Sequence, residues 1–203
     1  MHLRIAASTV AATFLLGTTA AIADPPNFDF NGYTNGIGST LQLASVLTNN
    51  GVVPTPVPLD FANNQYTLVV SATFDHTSGN AQRYGNATVQ IWADPIGSGT
   101  AASYATPATF TDGTLILGGS FDGFLIRNTF IATLGNFVGR VDWQAGSAVG
   151  LLPTPQDWPF GGGWSRTISG IPAGYVENWD GLIDLATVGV EPGSWGKVKN
   201  LFR

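Results

Sequence analysis

Short runs of alternating apolar and polar residues, cut every few positions by glycine or proline, set the limits on what this chain can fold into. Gly occurs 26 times and Pro 12 times in 203 residues. Between them no stretch keeps the i, i+3, i+4, i+7 apolar spacing through the three turns of an average helix. Helix is therefore expected to be scarce. In the clearest run, Tyr66, Leu68, Val70, Ala72 and Phe74 share one face, with Thr67, Ser71 and Thr73 opposite beside Val69, the pattern of a half-buried strand. Residues 87–93 set Val89 and Ile91 against Thr88, Gln90 and Trp92. Thr114 to Leu117 and Gly123 to Leu134 read as two strands joined by a hairpin turn over 118–122, and His76 falls in a turn after the 66–74 strand. Phe137, Gly139, Val141 and Trp143 alternate with Val138, Arg140, Asp142 and Gln144 to give the third strand of a meander. The Asn- and Pro-rich segment 24–64 reads as an arm with one strand near Leu41 to Leu47, and 153–166 as a long broken loop. The fold expected is all-β, an antiparallel β-sandwich of jelly-roll or immunoglobulin-like type, with a short C-terminal helix.

Composition excludes several chemistries. There is no Cys, which removes disulfides, thiolate metal sites and cysteine nucleophiles. Lys occurs only at Lys197 and Lys199, so the phosphate-loop pattern is absent, and with His2 and His76 alone no multi-histidine metal site can be built. Charged residues make up 10% of the chain against a usual value of about 25%. Residues 24–196 hold four arginines against all thirteen acids, a net charge of −9, while 197–203 carries +3. Such a body repels phosphate backbones, and nucleic acid is not an expected partner.

Residues 1–23 read as a secretory signal: Arg4 is the basic start, Ile5 to Leu16 the apolar stretch, and Ala21-Ile22-Ala23 the small-x-small cleavage site. The mature product is expected to be secreted, extracellular or at the cell surface, with one sandwich domain over 24–190 and no membrane-spanning helix. Residues 191–203 form a basic amphipathic tail. Ser194 can cap a short helix whose Trp195, Val198, Leu201 and Phe202 share a face. Its Trp195-Gly-Lys-Val-Lys-Asn-Leu-Phe-Arg203 resembles a W-G-x-[I/V]-K-x-[L/F]-x-R ending of assorted exported bacterial proteins. That resemblance implies a shared tail for sorting or attachment; a terminal helix docked on the domain is the alternative.

Five of the six tryptophans lie in 143–195, several beside acids. Flat indoles that stack on sugar rings, with carboxylates at the rim for the hydroxyls, make Asp157, Trp158, Trp164, Trp179 and Asp180 the candidate ligand-binding set, with Trp158 and Trp164, in a Gly- and Pro-rich loop, expected to be the most exposed. The other reading is that these rings fill the core. Glu177 with Asp180 or Asp184 is the only carboxylate grouping that offers glycosidase chemistry, and no catalytic residue is assigned. A serine hydrolase lacks its G-x-S-x-G. No cofactor is expected beyond calcium, for which Asp29, Asn31 and Asn35 offer oxygen ligands without the closing Glu of an EF-hand. The function expected is thus a non-catalytic secreted module that binds a glycan or another cell-envelope component. An outer-membrane β-barrel, a carbohydrate-active enzyme and a self-associating surface protein are the alternatives.

Overall fold

The structure, a computed structural model, describes residues 26–49, 53–97, 100–154 and 156–185. Nine strands form one antiparallel sheet: β1 (Asn27–Asn35), β2 (Thr40–Thr48), β3 (Asn64–Ser78), β4 (Ala81–Pro95), β5 (Thr114–Phe121), β6 (Leu125–Ile131), β7 (Leu134–Ala145), β8 (Trp158–Ser165) and β9 (Glu177–Asp184). Except for β5 and β6, which both pair with β4 and β7, each strand pairs with its neighbours in sequence, and β9 returns to pair with β1 from Asn27↔Asp184 to Thr34↔Glu177. The sheet therefore closes on itself, and the sandwich expected from the sequence is corrected to an eight-staved up-and-down β-barrel. Alternation tells which residues face inward but not whether a sheet is covered by a second sheet or by its own far wall. The expected C-terminal helix lies outside the described residues, as do the signal segment and the basic tail.

Nine strands make eight staves because β5 and β6 lie end to end. Both run antiparallel to β4 and to β7, β5 along one half of each and β6 along the other. The hairpin expected at 118–122 is thus a break in one long stave at Asp122–Phe124, where Gly123 takes φ +75°. His76, expected in a turn, stays within β3, and the turn falls at Gly79 and Asn80.

Eight staves enclose a space just wide enough for side chains to fill. Here the filling is aromatic: Phe137 stacks on Trp179 with ring centroids 4.2 Å apart, Phe30 on Phe160 at 5.3 Å, and Trp158 lies parallel to Phe28 at 6.3 Å. Such rings need bare backbone opposite them. A Cβ on Gly162 or on Gly181 would stand 2.7 Å from Cζ of Phe137. The wall's outer positions are mostly polar, with Gln42, Thr73, Thr88, Asp142, Gln144 and Asp180 exposed or half-buried.

The two ends differ. The described parts of the long connections after β2, β4 and β7 close one end, where Val57, Ala148 and Leu152 are buried against the core. Part of the 96–113 connection lies on the outer wall, where Thr67 Oγ1 donates to the Phe110 carbonyl at 2.7 Å and Tyr104 packs between Tyr33 and Tyr175. Among the described residues the other end carries only the turns 36–39, 79–80 and 132–133 and the 166–176 connection. It is here that the interior becomes polar.

Candidate arginine-lined mouth

Arg127 sits on β6 two residues after Leu125, so strand alternation points both inward. Glu177 opens β9 with the same parity as Trp179. The two meet as a bidentate pair inside the open end: Arg127 Nε donates to Glu177 Oε2 at 2.9 Å, and Arg127 Nη2 donates to Oε1. Arg166, just past β8, adds its Nε to Oε1 at 2.9 Å, and the Trp179 indole N–H donates to Oε2 at 3.1 Å. All four acceptor positions of the carboxylate are thereby used. Arg127 Nη1 donates to Gln82 Oε1 at 2.8 Å and to Thr129 Oγ1 at 3.0 Å. Its guanidinium lies 3.6 Å from the centroid of the Trp164 ring, a cation–π contact, while that indole's N–H holds the Asn128 carbonyl at 2.8 Å. The Tyr84 hydroxyl joins from below, accepting from the Gly38 N–H at 3.4 Å; burial pushes this phenol above its ordinary value.

The cluster does not balance its charge. Glu177 is 0% exposed and Arg127 3%, whereas Arg166 is 43% exposed. Two guanidiniums share one carboxylate, leaving one positive charge in a partly desolvated place, a costly arrangement unless an anion completes it. A cleft of about 450 Å³ opens directly above, lined by Arg127 and Arg166 with Thr77, Asn80, Gln82 and Thr129. Among the described residues the terminal nitrogens of Arg166 carry no hydrogen bond, and they lie on the side open to solvent.

The candidates expected from the sequence fare differently. Trp158, Trp164 and Trp179 are all buried in the barrel core, so the exposure expected for the first two is corrected: their alternation with Pro159, Gly161 and Gly163 turns the rings inward. Asp157 is exposed at the closed end, where it carries φ +91° and makes a 3.4 Å surface pair with Arg140. Asp180 is exposed on the outer wall of β9, between Asn31 of β1 and Gly163 of β8. These five residues form no common surface. Trp164 and Trp179 nevertheless belong to the mouth, as supports of Arg127 and Glu177 from within. Glu177 cannot share a site with Asp180 or Asp184, since the first points in and the others out. Asp29, Asn31 and Asn35 are spaced along the outer side of β1 and do not form a loop. The 153–166 stretch expected to be a long broken loop is mostly strand β8.

The mouth itself had a signal in the sequence. An arginine on the apolar parity of a strand, in a body with only four, marks a buried charge that needs a partner. Compared with protein-family models, with curated proteins and with solved structures, the chain matches none.

Proposed function

We propose that this chain is an exported, non-catalytic binding barrel that takes a small, hydroxyl-bearing organic anion, such as a sugar acid or a phosphate monoester, into the mouth between Arg127 and Arg166. The observation that carries the reading is the shared carboxylate: two arginines over one Glu177 leave a positive charge facing an open cleft. The guanidinium of Arg166 suits a carboxylate or phosphate oxygen, and Thr77, Asn80 and Thr129 suit hydroxyls. Binding is favoured over catalysis because Glu177, the mouth's acid, has every acceptor position committed to the protein. The glycan reading survives in this acidic form, since a neutral sugar stacked on Trp158 and Trp164 would need rings that here fill the core. The signal reading of 1–23 supports export.

The barrel form is shared with the outer-membrane alternative, and the distribution of side chains bears on it. A transmembrane barrel turns an apolar band to lipid and keeps a polar lumen. Here the lumen holds Phe30, Phe137, Phe160, Trp158 and Trp179, and the wall holds mostly Gln, Thr, Asn and Asp, with Val138 and Leu182 exposed among them. That polarity favours a barrel standing in water.

Calorimetric titration with inorganic phosphate, glycerol phosphate and a uronic acid tests the mouth. Saturable binding that weakens about ten- to hundredfold in Arg166→Gln is expected, the size of a lost charge-assisted hydrogen bond. No heat from any of the three, or binding indifferent to Arg166→Gln, overturns the assignment.

A further inference from the structure

Half of the exposed large apolar side chains among the described residues gather at the open end of this barrel, while Ile96 and Leu151 stand singly on the connections of the closed end and Phe124, Val138 and Leu182 on the wall. Phe130 (59% exposed), Ile131 (57%) and Leu134 form the tip of the β6–β7 hairpin, and Ile168 and Val176 stand on the neighbouring connection. All five are on the rim of the open end. Ala132, in the same hairpin tip, lines the arginine cleft, so apolar rim and cationic floor are one continuous surface.

Charge follows the same axis. Arg83, Arg127 and Arg166 are at the open end, near the start of β4, on β6 and just after β8. The acids there are Glu177, already shared by two arginines, and Asp75, paired with His76. Asp60, Asp94, Asp112, Asp157 and Asp184 lie toward the closed end. An acidic protein thus presents a positive, apolar-rimmed end and holds most of its negative charge along the wall, at Asp122, Asp142 and Asp180, and toward the closed end.

We infer that the open end docks on a membrane surface: the hairpin tip Phe130–Leu134 enters the interface, and an anionic phospholipid headgroup occupies the cleft between Arg127 and Arg166. This rests on the anion-binding reading of the mouth and names the source of its ligand. An apolar wedge and a cationic pocket on one face combine the two terms that hold a peripheral protein on an anionic bilayer, buried apolar area and attraction to the headgroups. The barrel then lies on the bilayer and does not cross it, with its acidic end facing away. A glycerol phosphate headgroup meets the lining directly, phosphate on the guanidiniums and hydroxyl on Asn80 or Thr77.

The test is flotation of the mature protein, without detergent, with vesicles of phosphatidylcholine alone or doped with phosphatidylglycerol. Flotation is expected only with the doped vesicles. The paired change Phe130→Ser with Ile131→Ser is expected to weaken it about tenfold or more, and Arg166→Gln about fivefold. Both changes are at solvent-exposed side chains, and circular dichroism checks that the barrel persists. Flotation that both variants retain in full, or that ignores lipid charge, overturns the docking face. No flotation while soluble glycerol phosphate still binds overturns docking and leaves the mouth standing; loss of both removes the mouth as well. A sizing column in which Phe130→Ser with Ile131→Ser splits a dimer, with no vesicle binding, also overturns it by assigning the rim to a second copy.

Discussion

Replacing Glu177 by Gln keeps the shape of the side chain and removes the charge that holds the mouth together. The carboxylate accepts from Arg127 twice, from Arg166 and from the Trp179 indole, and it is wholly shielded from water. An amide can accept at one atom only and turns N–H groups toward a guanidinium that is itself 3% exposed. Deleting one partner of a buried pair costs about 3–5 kcal/mol, because the other charge is left buried and unpaired. In a domain of this size that amounts to a fall in Tm of about 6–20 °C. Urea unfolding followed by tryptophan fluorescence measures it, since Trp164 and Trp179 both touch the cluster. Arg127→Met added to Glu177→Gln should recover part of the loss, as the stranded charge is then gone. A loss below about 1 kcal/mol for Glu177→Gln would put the pair in the class of surface ion pairs and refute the reasoning.

Gly139→Ala places a Cβ 2.6 Å from the Phe121 ring, so about 1–3 kcal/mol of stability is lost in urea unfolding, and Phe121→Leu in the same chain should restore part of it. The Tyr104 phenol is pushed up to about 12, first by burial and then by the neighbouring Tyr33 and Tyr175. Its folded value is above the unfolded one, so the stability it contributes is complete below pH 10.0 and is lost as pH rises toward about 12. Tyr104→Phe should remove the highest step of the ultraviolet phenolate titration and flatten that alkaline loss. Asp60 behaves in the opposite sense: the Asn63 side-chain amide holds its carboxyl below the usual range, so Asn63→Ala should raise its midpoint in a carbon-detected NMR titration.

Much of the wall was legible as alternation. Tyr66 to Phe74, Ala87 to Ala93 and Phe137 to Trp143 all face as their spacing requires. Strand β8 escaped because Gly161-Gly162-Gly163 between Trp158 and Trp164 carries the composition of a loop. Its period of two is nonetheless intact, with Trp158, Phe160, Gly162 and Trp164 inward and the glycine giving room to Phe137. Strand β1 was hidden in the same way, its inward Phe28 and Phe30 surrounded by Asn and Gly. Closure was beyond reach, since the β1–β9 seam joins residues about 150 positions apart, as Asn27↔Asp184 does, and no local pattern reports such a pairing. The tryptophans misled for a related reason: the sequence shows an indole beside an acid, but neighbours along a strand point to opposite faces. Asp157 and Trp158, like Trp179 and Asp180, are on opposite sides of the wall. In Arg127 and Glu177 the same rule worked the other way, bringing two charges 50 residues apart onto one inner surface.

The proposed barrel stands in water and offers an arginine pair to an anion at its open end. Nitrogen-15 NMR of the mature protein in detergent-free buffer, watching the arginine Nε–H signals during a glycerol phosphate titration, tests it most directly. The expected result is a dispersed spectrum with a slowly exchanging Arg127 Nε–H, and an Arg166 signal that shifts to saturation. A protein that gives no spectrum without detergent, or an Arg166 signal that stays in place throughout, would contradict it.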